Sequence, residues 1–94
     1  MPVVLVVQGI TRQQYEDSVT KVSPTGQVRS PSDWPVEGLL AHIAGEGPNG
    51  FRVVDVWETE EAMRKFGDSL IPILKDLGVE AEPEIYPTHT FVSA

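Results

Sequence analysis

The chain has no cysteine. Disulfides and thiolate metal sites are both excluded, so a domain of 94 residues must draw any stability beyond its own core from packing or association. Positive charge is scarce as well: 7 Lys and Arg stand against 14 Asp and Glu, a formal net charge of −7. The basic residues Arg12, Lys21, Arg29, Arg52, Arg64, Lys65 and Lys75 are scattered. This argues against nucleic acid as a partner, because phosphate contacts need clustered Lys and Arg. The acidity is read as serving solubility. The histidines, His42 and His89, form no close-spaced ligand pair such as His-x-His or HExxH, so no metal is expected. No apolar run approaches membrane-spanning length, and no membrane partner is expected. The N-terminal MPVVLVVQG has neither the basic flank nor the cleavage site of a secretory leader and reads as a strand. The expected compartment is the cytoplasm.

What is present has a clear order, and residues 1–94 read as a single domain. Val3 to Gln8 is an apolar, β-branched strand stopped by Gly9. Thr11-Arg12-Gln13-Gln14 matches a capping box, followed by Tyr15, Val19 and Val22 on one helix face, with Pro24 as the stop. Thr25 to Pro35 is a polar loop whose one large apolar residue, Trp34, is expected to cover something apolar, as the anchor of a lid. Leu39 to Ala44 and Phe51 to Glu58 are strands joined by the turn GEGPNG, which precedes a strand and so is no phosphate cradle. Thr59 caps a second helix with Glu60 and Glu61 in its first turn; Ala62, Phe66, Leu70, Ile73, Leu74 and Leu77 form its apolar stripe. Pro72 is expected to kink or split that helix near Ser69, and Gly78 to end it. Glu80 to Pro83 lead to a last strand, Glu84 to Val92. The order β-α-β-β-α-β, with right-handed crossovers, predicts a ferredoxin-like α+β fold: a four-stranded antiparallel sheet with both helices on one face.

Such a sheet leaves one face uncovered. Alternation in the middle strands puts Leu39, Ala41, Ile43, Val54 and Val56 in all-apolar sets, expected against the helices. Leu40, His42, Val53, Asp55 and Trp57 are then expected on the open face, with Val4, Val6 and Gln8 of the first strand. A face so apolar predicts a homodimer packed face to face around a small apolar or aromatic ligand. The candidate pocket walls are Tyr15, Trp34, Trp57, Tyr86 and His89, with His42 as general base and Asp55 as its orienter. A plainer role stands beside each of the sharper ones. Trp57 is a substrate platform or a core residue; His42 is a base or a hydrogen-bonded interior histidine; Asp55 is an orienter or half of a structural ion pair.

The length, the element order and Val-Trp-Glu-Thr-Glu-Glu-Ala at 56–62, closing the third strand and opening the second helix, resemble the dimeric α+β barrel proteins. The likeness is nearest to the antibiotic biosynthesis monooxygenase-like group. This resemblance implies a homodimer with a pocket between helices and sheet or inside the barrel. It also implies a range of activities: cofactor-independent quinone-forming monooxygenases, haem degraders and cyclases, together with proteins of no known activity. The haem-degrading branch uses a strand-one asparagine, the strand-three tryptophan and an iron-binding histidine on helix two. Trp57 matches, but strand one offers Gln8 and the segment Thr59 to Leu77 has no histidine, so haem is set aside and no cofactor is expected. In the monooxygenase branch the tryptophan is paired with polar groups that hold a phenolic substrate, and Trp57 again matches. The expected function is a small-molecule-pocket protein, either a cofactor-independent monooxygenase or cyclase acting on an aromatic or polyketide-like compound, or a non-catalytic ligand-binding or structural homodimer.

Overall fold

In the computed structural model, which describes residues 1–80 and 82–93, the N-terminal apolar run forms strand β1, Val3–Ile10. Thr11 then caps helix α1, Arg12–Val22. Both halves of the capping box are made: the Gln14 N–H donates to Thr11 Oγ1 and the Thr11 N–H to Gln14 Oε1, each at 3.0 Å. A loop with a single 3-10 turn at Pro31–Asp33 leads to the hairpin of β2, Leu39–Gly47, and β3, Gly50–Trp57. Thr59 accepts from the Ala62 N–H at 3.1 Å and opens helix α2, Glu60–Asp76. Pro72 does not split α2, which is helical on both sides of it. The last strand, β4, is Glu84–Pro87, five residues shorter than the expected span to Val92. Pro87 brings no N–H to the ladder. Beyond it, the Thr88 N–H and hydroxyl both turn to the Pro2 carbonyl, at 3.0 and 2.9 Å. The connection expected at Glu80 to Pro83 includes Ala81, which lies outside the described residues.

The sheet is antiparallel throughout, in the order β2-β3-β1-β4, and this is the ferredoxin-like α+β fold. Its helix-facing side carries Val3, Leu5 and Val7 of β1 against Met63, Phe66, Leu70 and Leu74 of α2. Trp57 is wholly buried there, its ring 4.9 Å from that of Phe66. No helix among the described residues is long and apolar enough to cross a membrane.

From Ala41 onward in β2, and in β3, the faces are the reverse of those expected, whereas Leu39 and Leu40 lie as expected. Leu5 pairs with Asp55, and Asp55 with His42. Residues opposite one another across strands share a face, so His42, Val53, Asp55 and Trp57 look toward the helices. Val54, Val56, Ala41 and Ile43 lie with Val4 and Val6 on the open side. Within β2 the register slips between Leu39 and Ala41. This bulge moves Leu39 into the core, while Leu40 is left exposed. The expectation failed because it reserved the helix side for all-apolar sets. A polar pair can occupy that side when its members satisfy one another.

Candidate functional site

Helix α1 begins at its Thr11 cap and brings Tyr15 round, one turn later, to look at the sheet. The Tyr15 hydroxyl lies 2.7 Å from His42 Nε2. On the other side of the imidazole, His42 Nδ1 lies 2.5 Å from Asp55 Oδ1 across the β2–β3 ladder. Asp55 is 3% exposed, so its carboxylate has given up most of its water for this one histidine. A carboxylate only accepts, which makes Nδ1 the donor and leaves Nε2 of the neutral ring to accept from the tyrosine O–H. Burial, and secondarily the negative charge of Asp55, push the Tyr15 phenol above its ordinary range and keep it protonated. The result is a proton-bearing chain, Tyr15–His42–Asp55, with geometry that holds each group to its neighbour.

This chain forms the polar end of a cavity of about 40 Å³ between the helices and the sheet. The remaining wall is apolar and includes Leu5, Val7, Val53, Phe66 and Leu70. The space is large enough for only a few water-sized molecules. Phe51 flanks Tyr15 with ring centroids 5.1 Å apart. Trp34 packs its edge on His42 at 4.8 Å and is itself buried, so the loop tryptophan does cover an apolar space.

Asp33, next to Trp34, ties the loop together. Its carboxylate accepts from the Thr25 hydroxyl at 2.6 Å, the Arg29 N–H at 2.8 Å and the Ser30 N–H at 3.1 Å. The Thr25 hydrogen bond, followed by the Arg29 amide, keeps this carboxyl below the usual range against the opposing effect of burial. Nothing in the hydrophobic pattern singled out Asp33. The available signal was the local run Ser30-Pro31-Ser32-Asp33, a capping residue and a proline followed by an acceptor three residues on.

Of the residues expected at a site, the structure therefore brings Tyr15, Trp34, His42 and Asp55 together. Trp57 sits in the core beside Phe66, and its Nε1 has no hydrogen-bond partner among the described residues. Tyr86 pairs with Val4 on the opposite face of the sheet and is half exposed. His89 lies past the end of β4 and is exposed, with the Thr90 hydroxyl 3.0 Å from its Nδ1. Phe66 and Leu70, read from the sequence as core, also line the cavity. Among the described residues, no group of three or more His, Asp or Glu side chains gathers closely enough to hold a metal ion.

No protein-family model matches the chain, and no curated protein matches it. A solved structure from Deinococcus radiodurans, of a "putative antibiotic biosynthesis monooxygenase", is similar over 100% of this chain and 98% of its own, with a TM-score of 0.59 and 14% identity. At that identity the likeness is one of fold, and the ferredoxin-like α+β fold is what this chain shares with that protein.

Proposed function

We propose that this protein takes a small aromatic or polyketide-like compound between its helices and its sheet and moves a proton on it, as a cofactor-independent monooxygenase or cyclase. The observation that carries this reading is the Tyr15–His42–Asp55 chain at the wall of an otherwise apolar cavity. A buried carboxylate is costly to maintain, and polar groups converging on a concave apolar space are a common mark of a binding or reactive site. The fold neighbour's name, a monooxygenase of antibiotic biosynthesis, supports the same direction.

His42 is the base and Asp55 its orienter, with Tyr15 between His42 and the ligand. As the Tyr15 proton passes to His42 Nε2, the Tyr15 oxygen takes a proton from a substrate phenol, and Asp55 stabilises the imidazolium. The phenolate, now electron-rich, closes a ring or reacts with dioxygen. In the latter case a phenol and one dioxygen become a quinone and one water, and the protein carries no electrons. Trp34 must shift to admit any ligand larger than the present cavity. The uncovered valine face supports a homodimer.

A second reading is favoured by the small size of the cavity: a homodimer that binds a ligand, or only packs, without turnover. Oxygen uptake and product mass are to be followed with a panel of small phenols, for the wild type and for Tyr15→Phe and His42→Ala. Turnover lost in both variants while the ligand still binds is the expected result. Ligand binding by the wild type with no turnover of any phenol would favour the binder.

A further inference from the structure

The internal cavity does not stand alone. A cleft of about 230 Å³ opens on the surface beside it, lined in part by Arg29, Ser30 and Leu40. The two spaces share Val28, Trp34 and His42 as walls, so Trp34 and His42 stand between them. Arg29 lines the outer space, is exposed, and differs from the other arginines of this acidic chain. Arg12 and Arg64 lie against the carboxylates of Glu46 and Glu60, and Arg52 donates to the Gln8 amide. Among the described residues the Arg29 guanidinium has no such hydrogen-bonded acceptor; its backbone N–H donates to Asp33, and its charge adds a smaller pull on the same carboxylate.

We propose that cavity and cleft are two halves of one site, parted by Trp34, and that its ligand is amphipathic: an apolar ring with a hydroxyl lies inside, against Tyr15, and a carboxylate lies outside, on Arg29. This rests on the proposed function, since it assigns the hydroxyl end to the same Tyr15–His42–Asp55 chain. The chemistry of each half is distinct. The inner walls are apolar apart from that chain, so they accept a ring and one proton-bearing group. An arginine with open N–H groups at the rim fits a planar anion, which it can grip with two parallel hydrogen bonds. In a protein of net charge −7, an anionic ligand needs a local cation if it is to dock at all.

The test compares two probes that differ only in the anionic group: 4-ethylphenol and 3-(4-hydroxyphenyl)propionate. Each is titrated into the full chain by calorimetry, with ¹H–¹⁵N spectra to locate the shifts and confirm folding. The carboxylate probe is expected to bind about tenfold more tightly, the size of one charge-assisted contact, and to move the Trp34 indole resonance. In Arg29→Gln, an exposed position, that advantage should disappear while 4-ethylphenol binds as before. Equal binding of both probes by the wild type, or an advantage that survives in Arg29→Gln, overturns the two-part site and leaves the proposed function standing. Binding of neither probe overturns both.

Discussion

The hydroxyl of Tyr15 and Nε2 of His42 are 2.7 Å apart, so the nitrogen that would meet a substrate is already engaged by a phenol. A proton bound for that nitrogen would therefore pass by way of Tyr15, on α1. The pairing also sets a measurable property. Burial and the Asp55 charge raise the Tyr15 pKa, so in a Tyr86→Phe background, where Tyr15 is the remaining tyrosine, its ultraviolet titration should lie above the usual value of about 10. Adding Asp55→Asn should bring it part of the way back. The sign for stability follows from linkage: the unfolded tyrosine ionises first. The contribution is complete below the unfolded pKa and is lost as pH rises through the folded one. A midpoint at or below the ordinary value would remove the case for a desolvated phenol.

Removing His42 should cost more stability than removing the tyrosine hydroxyl. His42→Ala leaves the Asp55 carboxylate, 3% exposed, without its hydrogen-bond partner. Breaking a buried pair in this way costs about 3 kcal/mol, whereas Tyr15→Phe should cost about 1 kcal/mol. Urea unfolding of both variants distinguishes them. Equal, small losses would mean that Asp55 finds water or another donor when His42 is gone.

The element order and both helix caps were legible because they are local: Thr11 with Gln14 and Thr59 before Glu60 and Glu61 declare helix starts within a few residues. The convergence of Tyr15, His42, Asp55 and Trp34 was legible only as a list of residue types. Their placement depends on which face of β3 looks inward, and both sets of that strand are mostly apolar. Val53 and Trp57 flank Asp55 on one face, and Val54 and Val56 fill the other. Hydrophobic alternation cannot choose between such sets. A buried Asp–His pair reverses the naive choice, and the bulge at Leu40 removes the help β2 would have given. Trp57 shows the same limit, since a strand tryptophan packed on Phe66 and one facing a ligand look alike in sequence.

Asp33→Asn should loosen the loop that seats Trp34. Three donors converge on the Asp33 carboxylate, and the amide that replaces it has a single acceptor oxygen. Hydrogen exchange at the Arg29 and Ser30 amides should quicken, and Trp34 fluorescence should shift toward that of exposed indole. Because the folded pKa of Asp33 is lowered, the stabilisation is present above the unfolded value. It is lost only as pH falls through the lower folded value, so acidification of the wild type should reproduce the variant's behaviour there. Unchanged exchange in the variant would show that Trp34 packing alone holds the loop.

The open face gives a test of association. Ile43 is 63% exposed and Tyr86 48% exposed, beside Val4, Val6, Val54 and Val56. Burial of this patch against a second copy predicts a solution mass of twice 10.3 kDa. Ile43→Glu places a charge within the patch that association would bury and should yield a monomer with the same circular dichroism. A wild-type monomer would leave the valine face without the proposed partner.

Gly38, just ahead of β2, lies against Ala62 of α2. A Cβ there would stand 2.9 Å from the Ala62 Cβ, and its φ is +113°. Both the strain of a side chain at positive φ and a contact with a methyl that cannot swing away therefore oppose Gly38→Ala. Gly26 has φ +75° but nothing within 4 Å of the same added carbon, so Gly26→Ala isolates the backbone cost of about 1 kcal/mol. Gly38→Ala should exceed it by about 1 kcal/mol, because the Ala62 methyl is fixed to α2 and relief requires a shift of backbone. Thermal or urea unfolding of the two variants gives the difference directly. Equal losses would mean that the strand entry can move away from Ala62 at little cost, and that the segment ahead of Leu39 is softer than its packing suggests.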